Sequence, residues 1–193
     1  MIATCEQYDV LVAEAQHFLT TLFEPEDMIE FRCKSEDSGQ VDKQFWWTLR
    51  EVNFETLMAV NESRRHIWFG VNPRSRRGGS TADAVEQCRS ACLDLDGVTP
   101  ADGLGRIQVA GLPRPTLAIS SGGGSQFFWR FSRPVEPQRW RRKQKAIIRR
   151  VPGADGAIHD EPRAMRLPGF RNWKDKYSPT FPRARLFRED TSS

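Results

Sequence analysis

The first sixty residues carry apolar positions at helical spacing and then at strand spacing. Apolar side chains recur at i, i+4, i+7, i+8 and i+11 from Leu11, which predicts an amphipathic helix over residues 5–23 that Pro25 ends. The other expected elements here are strands over residues 29–34 and 45–49, a polar loop over 35–43 between them, and a helix from an Asn53 cap to about residue 61.

The rest of the chain alternates short apolar runs with turn residues. The aromatic and β-branched run at residues 66–72 predicts a strand, and residues 137–151 have the clearest helical pattern. The remaining predicted elements are a short helix over residues 82–90 capped by Ser80 or Thr81, a strand that carries Asp94, a partial helix over 100–112, and strands over 116–120, 126–131 and 184–188. Strands and helices interleave without a long linker, which predicts one α+β (α/β) domain over residues 1–193.

Composition agrees with a single globular domain. The chain has 193 residues, of which 38% are hydrophobic and 28% are charged. It contains no run of 18 apolar residues, and its first eight residues lack the basic and apolar regions of a signal peptide. Cys88 and Cys92 are at helical spacing, but the four cysteines form no Cys-x-x-Cys pair. We therefore expect reduced, mostly buried thiols in a cytoplasmic protein.

Charge is distributed unevenly along the chain. The net charge is only +4, yet residues 1–42 hold ten acids against Arg32 and Lys34, while residues 128–193 hold seventeen Lys and Arg against seven acids. This asymmetry predicts an anionic partner for the second half, such as a nucleic acid or a nucleotide phosphate.

Two stretches concentrate the basic residues, a loop over residues 73–80 and one face of the helix over 137–151. No acid lies between Gln138 and Pro152, so the helix lacks the i,i+4 ion pairs typical of a solvated face. A solubilising surface remains the alternative. The candidate nucleic-acid contacts are Arg74, Arg76, Arg77, Arg141, Arg142 and Lys145.

Asp94 and Asp96 lie one residue apart in the apolar run that precedes Gly97. In a strand they would project from the same face, where each carboxylate disfavours ionisation of the other unless a cation lies between them. Hard cations such as Mg²⁺ or Mn²⁺ accept oxygen ligands of this kind. The alternative is a solvated strand end.

A glycine-rich turn and a second polar stretch follow. Ser121-Gly122-Gly123-Gly124-Ser125 lies between two predicted strands and could form an anion-binding turn, although it has no Walker A lysine and could be a plain glycine hairpin. Residues 153–174 then supply further carboxylates and closely spaced Arg, Asn and Lys donors. Carboxylates for a metal, glycines for phosphates and a cationic clamp are together what metal-assisted phosphoryl transfer requires.

These three motifs resemble those of the catalytic domain of archaeo-eukaryotic-type primases, which include plasmid and phage primase-polymerases and RepB-like replication primases. Asp94 and Asp96 match the family's Asp-x-Asp. Residues 121–126 match its Ser-Gly-x-Gly-x-His, and residues 166–174 match its Arg-Leu-Pro-Gly-x-x-Asn/His-x-Lys. Order and spacing agree over roughly residues 66–175.

The resemblance implies a primase-type catalytic domain with an RRM-like sheet core and flanking helices. Its N-terminal helical and strand part would span about residues 1–62, and its motif-bearing core about 63–190. The implied activity is that of a template-dependent nucleotidyltransferase, a DNA primase or primase-polymerase that uses a two-metal site of Mg²⁺ or Mn²⁺. The nucleotide-binding residues that it implies are Ser121, Gly122, Gly123, Gly124, Gln126, Arg166, Asn172 and Lys174.

The resemblance leaves two points of the site open. Gln126 replaces the motif's histidine; a glutamine amide can donate a hydrogen bond but cannot become cationic. Asp94 and Asp96 need a third metal-binding acid, and the candidates are Asp155 and Asp160. The family's spacing and the small neighbours of Asp155 favour Asp155, while Asp160 resembles a turn cap that pairs with an arginine three residues on.

The implied partners are a single-stranded DNA template and NTPs or dNTPs, with a replicative helicase or another replication protein as a further candidate and no membrane. The implied setting is a prokaryotic cytoplasm, in plasmid, phage or mobile-element replication. The main alternative is a non-catalytic single-stranded nucleic-acid-binding module of the same fold. A rolling-circle nickase is disfavoured because the three histidines form no His-x-His pair.

Overall fold

The computed structural model describes residues 5–188 of the chain. The outermost residues of the predicted domain, 1–4 and 189–193, lie outside the described part. Four α-helices and eight strands follow one another within it. The helices are α1 (Cys5–Leu22), α2 (Phe54–Glu62), α3 (Pro100–Val109) and α4 (Pro137–Arg150).

The helices begin where the sequence supplies caps. The side chain of Asn53 accepts a hydrogen bond from the Thr56 N–H at 2.8 Å, and Thr99 Oγ1 accepts one from the Asp102 N–H at 3.2 Å. The predicted helices over residues 5–23, from Asn53, and over 137–151 are confirmed to within one residue at either end.

The strands form two antiparallel sheets. The strands are β1 (Met28–Ser35), β2 (Val41–Thr48), β3 (Arg65–Gly70), β4 (Cys88–Asp96), β5 (Leu117–Ser120), β6 (Gly124–Val135), β7 (Ala164–Arg166) and β8 (Arg185–Leu186). Sheet A has the order β2-β1-β3-β7, and sheet B has the order β4-β6-β5-β8. The mixed α/β class predicted from the sequence is confirmed.

Helix α1 joins the two sheets into one core. The ring of Phe18 makes edge contacts with Phe69 of sheet A and with Phe128 of sheet B, each at 5.1 Å between ring centroids. All three side chains are fully buried. Burial of large aromatic side chains is the main favourable term in a core of this kind, and their edge-to-face geometry adds about 0.5–1.5 kcal/mol per pair. The N-terminal part and the motif-bearing part therefore share one hydrophobic core.

The expected helix over residues 82–90 is wrong. Only a 3₁₀ turn forms, at Ala82–Ala84, and Cys88 already begins β4. Because Cys88 and Cys92 are both buried in a strand that pairs with β6, the ladder and the core override their helical spacing. Burial raises the pKa of both thiols, that of Cys88 to about 12, which agrees with the expected reduced, buried thiols at these two positions.

The expected loop over residues 35–43 is also shorter than predicted, because β2 begins at Val41. At the other end of the chain, the strand expected over residues 184–188 is reduced to β8, which pairs with β5. Among the described helices, none combines the length and apolar character needed to cross a bilayer.

Candidate nucleotide and metal site

The strand registers bring the three sequence motifs to one place. In sheet B, Asp94 lies opposite Gln126 and Asp96 lies opposite Gly124. In sheet A, Trp68 lies opposite Arg166. A cavity of about 190 Å³ lies where these elements meet, and it is lined by Trp68, Asp94, Asp96, Ser121, Gly123, Gln126, Asp155, Ile158, Arg163, Ala164, Met165, Arg166, Asn172, Lys174 and Tyr177.

Three carboxylates line this cavity. Asp94 and Asp96 project from the same face of β4 because they are two residues apart in a strand. Asp155 reaches them through its backbone, whose N–H donates a hydrogen bond to the Asp94 carbonyl oxygen at 3.0 Å. The N–H of Ala157 donates to Asp155 Oδ1 at 2.9 Å and orients that side chain. The fold thus brings Asp155 to the two strand carboxylates.

Asp94 carries the feature that fits a cation. Its Oδ2 accepts a hydrogen bond from Gln126 Nε2 at 3.0 Å, while its Oδ1 is buried and has no hydrogen-bond partner among the described residues. Burial raises the pKa of Asp94 to about 6; the hydrogen bond from Gln126 opposes this shift, and the charges of Asp96 and Asp155 add to it. Within residues 5–188, no three His, Cys, Asp or Glu side chains are already arranged as a metal site. A buried, unpartnered carboxylate oxygen beside two further carboxylates is nonetheless a suitable ligand for a hard cation.

Gln126 bridges the first and third motifs. Besides donating to Asp94, its Oε1 accepts a hydrogen bond from the Arg166 N–H at 3.2 Å. The residue is buried, so both ends of its amide are held by protein groups. A neutral side chain that donates and accepts at once suits this position, whereas the sequence alone had marked it only as a departure from the motif's histidine.

Arg166 is a buried cation that lacks a carboxylate partner among the described residues. Its Nη1 lies 3.3 Å from His66 Nδ1, and its guanidinium lies 6.0 Å from the centre of the Trp68 ring. Burial lowers its pKa to about 10, although the nearby charge of Asp94 acts in the opposite direction. Buried charges are normally paired, so a guanidinium that faces a cavity in this state is a strong candidate to bind an anion.

Asn172 holds two of the motif segments together. Its Nδ2 donates to the Ser121 carbonyl oxygen at 3.3 Å, and its Oδ1 accepts from the Lys174 N–H at 3.4 Å. Both ends of the Asn172 amide are therefore engaged by the protein. Lys174 is exposed at the cavity, and Ser121 lines it.

The glycines of the second motif shape a tight turn. Gly122 has φ +79°, a backbone conformation that L side chains rarely adopt, and a Cβ at Gly124 would lie 2.3 Å from the Leu95 carbonyl oxygen. Gly123 lines the cavity, whereas Gly122 and Gly124 are not among the lining residues. The turn therefore lets β6 approach β4 closely at the carboxylates.

Asp160 is placed apart from the cavity lining. Its Oδ1 accepts a hydrogen bond from Arg163 Nε at 2.7 Å, the pairing over three residues that the sequence indicated. Arg163 itself lines the cavity. This position makes Asp155 the stronger candidate for the third metal-binding acid.

The prediction that Arg74 contacts nucleic acid is wrong. Its side chain is fully buried, and its Nε and Nη2 both donate to Glu30 Oε2, at 2.9 and 2.6 Å. The partner lies 44 residues earlier on β1, so the pair forms only when sheet A folds. A guanidinium enclosed with its carboxylate cannot reach a DNA phosphate.

The other predicted basic contacts are at the surface. Arg76 and Arg77 are exposed and pair with Asp83 and Glu51, respectively. Arg141 is half-exposed and donates to Glu161 Oε2 at 2.6 Å. Arg142 and Lys145 are exposed and have no ion-pair partner among residues 5–188.

Four residues at or behind the cavity were not among the predicted site residues: His66, Trp68, Arg163 and Tyr177. His66 and Trp68 lie on β3, where the aromatic run predicted a strand but no function. The ring of Tyr177 reaches the glycine turn, since its Oη would lie 1.9 Å from a Cβ at Gly123. No spacing in the sequence connects these residues, because they meet only through the β3–β7 pairing and the loop after β7.

Comparison with solved structures defines the class. The fold matches the AEP domain of a cyanophage S-2L primase-polymerase (PrimPol), with a TM-score of 0.74 and 21% identity over 92% of this chain and 89% of that one. It also matches primase RepB′, with a TM-score of 0.67 and 17% identity over 95% of this chain but only 56% of that one. The catalytic domain of RepB′ in complex with initiator DNA matches with a TM-score of 0.65 and 19% identity, over 91% and 85% of the two chains. The fold is that of the archaeo-eukaryotic-type primases.

The sequence places the chain more narrowly. The model of the RepB DNA-primase N-terminal domain matches residues 57–193, and the chain belongs to this family. No match was found among curated proteins. The family and the fold together support a DNA primase-type function, as the three motifs indicated.

Proposed function

We propose that the protein is a template-dependent nucleotidyltransferase, a DNA primase or primase-polymerase. The reaction is in-line attack of a 3′-hydroxyl on the α-phosphate of an NTP or dNTP, with pyrophosphate as the leaving group. One observation carries the proposal: Arg166, a buried guanidinium without a carboxylate partner among the described residues, and Asp94, whose buried Oδ1 has no donor among them, line the same cavity. A nucleoside triphosphate with its divalent cation supplies the missing partner for each of them.

Each side of the cavity has a role in this proposal. Asp94, Asp96 and Asp155 would hold Mg²⁺ or Mn²⁺, which supplies charge neutralisation on the phosphates and activation of the attacking hydroxyl. Arg166 and Lys174 orient the triphosphate by charge-assisted hydrogen bonds. Gln126 fixes the distance between the two groups, since it is bonded to Asp94 and to the Arg166 backbone.

A single-stranded DNA template is the proposed partner, in the replication of a plasmid, phage or other mobile element. The catalytic domain of RepB′, whose fold this chain shares, was solved in complex with initiator DNA, which supports DNA as the ligand. Arg142 and Lys145 on α4 are proposed phosphate contacts because they are exposed and unpaired among the described residues.

The non-catalytic alternative rests on Gln126. Its amide occupies one oxygen of Asp94, which would otherwise be available to a cation. In that case the protein would bind single-stranded DNA and nucleotide without incorporation.

Incubation with single-stranded DNA, labelled NTPs or dNTPs, and Mg²⁺ or Mn²⁺ tests the proposal, with and without a primer. We expect metal-dependent incorporation that the Asp94→Asn variant lacks. Binding of DNA without incorporation under every combination of metal and nucleotide would instead establish the non-catalytic module.

A further inference from the structure

A large groove on the described surface lies away from the candidate site. It has a volume of about 910 Å³ and runs between α4, the C-terminal half of β6 and the segment before β5. Ala91 and Trp129, which pair across β4 and β6, belong to it. Asp94 is three residues from Ala91 and so projects from the other face of sheet B. The groove and the carboxylates therefore lie on opposite faces of the same sheet.

The groove has a cationic rim. Six basic residues line it, and no acidic residue does so within the described part of the chain: Arg114, Arg130, Arg133, Arg139, Lys143 and Arg150. Arg130 pairs with Glu24. Arg133, Arg139, Lys143 and Arg150 are exposed and have no ion-pair partner among residues 5–188.

The floor of the groove is apolar. Phe131 and Ile147 are partly exposed within it, beside Leu112 and Ala146. The indole of Trp129 is fixed there by a hydrogen bond from its Nε1 to the Pro113 carbonyl oxygen at 2.7 Å, so the segment before β5 forms a stable wall. An ordinary solvated helix face would have neither the concave shape nor this floor.

We propose that this groove is a second binding site, distinct from the nucleotide cavity, and that its ligand is a single-stranded polynucleotide. Phosphates would lie on the cationic rim while unstacked bases cover Phe131 and Ile147. A duplex presents phosphates but encloses its bases, so it would leave the apolar floor uncovered. The choice of a nucleic acid rests on the proposed function, whereas the groove itself rests on its charge and shape.

This position gives the groove a role that the cavity cannot have. A strand held behind sheet B does not contact Asp94 or Arg166, so it takes no part in the chemistry. It would anchor a stretch of template outside the active centre. Removal of the groove's charges should therefore weaken template binding and leave incorporation unchanged at saturating template.

Two faces of α4 provide a matched comparison. The triple variant Arg139→Ala, Lys143→Ala and Arg150→Ala removes three charges from the groove, and the control triple Arg142→Ala, Lys145→Ala and Arg149→Ala removes three from the outer face. Fluorescence anisotropy would measure binding of a 20-nucleotide single strand and of a 20-base-pair duplex, without metal and over a range of salt concentrations. Thermal melting would verify folding, and the single variant Lys143→Glu would replace the triple if that variant does not fold.

For the groove variant we expect the dissociation constant for the single strand to rise about tenfold, and its log–log salt slope to fall by about two units. Its affinity for the duplex should change by less than about threefold. The outer-face variant should instead bind the single strand and the duplex more weakly, by a similar factor for each. The proposal is overturned if the groove substitutions weaken the binding of the single strand and of the duplex by the same factor, or weaken neither. It is also overturned if an acidic 20-residue peptide displaces the single strand from the wild-type protein but not from the groove variant, because the groove would then be a peptide site.

The binding experiment on the groove and the incorporation experiment on the proposed function can fail independently of each other. Selective loss of single-strand binding without any incorporation by the wild type would support the groove and reject the polymerase. Nucleotide incorporation by the wild type, together with an unchanged affinity of the groove variant for the single strand, would support the polymerase and reject the groove.

Discussion

Gln126 Nε2 and Asp94 Oδ2 are joined by a hydrogen bond of 3.0 Å between β6 and β4. The same Gln126 side chain accepts the N–H of Arg166, so one neutral amide connects the carboxylate side of the cavity with its cationic side. Gln126, which replaces the histidine of the family motif, therefore links the two sides of the candidate site.

Replacement of Gln126 by glutamate should destabilise the protein. Gln126→Glu keeps the shape and the acceptor for the Arg166 N–H, but it replaces the donor to Asp94 with a second carboxylate. We expect the free energy of unfolding at pH 8 to fall by about 1–3 kcal/mol. Urea unfolding measures this, and Gln138→Glu on the exposed side of α4 is the matched control with little expected change. Equal stability of the two variants would contradict the bridging role.

Replacement of Asp94 by asparagine should separate stability from activity. Asp94→Asn removes a charge that is costly to bury, yet its amide oxygen can still accept the hydrogen bond from Gln126. We expect the metal-free protein to gain about 1–2 kcal/mol in unfolding free energy at pH 8 while nucleotide incorporation is lost.

The control for this variant is Asp96→Asn, which should also lose incorporation but gain less stability, because Asp96 is exposed. Near wild-type incorporation by Asp94→Asn would leave Asp94 as a strand-end carboxylate without a metal.

The sequence was most informative where one element carries the whole signal. The i, i+2 spacing of Asp94 and Asp96 requires only that β4 is a strand, and the apolar run around them predicts one. Asn53 and the periodic positions of α1 were sufficient for the same reason, since a cap and a helical stripe are local features.

The errors occurred where a distant partner decides the outcome. Arg74 was expected at the surface, but its partner Glu30 lies on another strand of sheet A, and no local pattern indicates that pair. Cys88 and Cys92 have helical spacing, yet pairing with β6 places them in a buried strand. His66 and Trp68 reach the site through β3–β7 pairing, which brings together residues about one hundred positions apart.

The third metal-binding acid can be identified by comparing two alanine variants. Asp155 lines the cavity and its backbone is bonded to Asp94, whereas Asp160 is paired with Arg163 away from the lining. Asp155→Ala should therefore abolish incorporation and metal-dependent nucleotide binding. Asp160→Ala should retain metal-dependent nucleotide binding. It should lower only the rate of incorporation or the free energy of unfolding, the free energy by up to about 1 kcal/mol.

Nucleotide binding would be measured by calorimetry with and without Mn²⁺, so that the result does not depend on turnover. Loss of metal-dependent binding in Asp160→Ala, with binding retained in Asp155→Ala, would assign the metal to Asp160.

His66 should make the stability of the protein sensitive to acid. Its Nδ1 faces two donors, Arg166 Nη1 and the Trp173 N–H, each at 3.3 Å, so its proton lies on Nε2 and points to Glu36 at 2.6 Å. Burial lowers the pKa of His66, and the charges of Arg166 and Lys34 lower it further, while Glu36 acts in the opposite direction.

The sign of the pH effect follows from this lowered pKa. Between the lowered pKa of His66 in the folded protein and about pH 6.5, the unfolded chain binds a proton at this histidine while the folded protein does not. The contribution of His66 to the unfolding free energy therefore falls on acidification through this range and is constant above it. His66→Gln, which cannot titrate, should reduce this acid sensitivity, whereas His17→Gln on the exposed face of α1 should leave it unchanged. Because the imidazole also orients Arg166, His66→Gln should raise the KM for the nucleotide more than it lowers kcat. Urea unfolding between pH 5 and 8 measures the acid sensitivity, and steady-state incorporation measures KM and kcat. If His66→Gln has the acid sensitivity and the KM of the wild type, His66 neither titrates in this range nor positions Arg166.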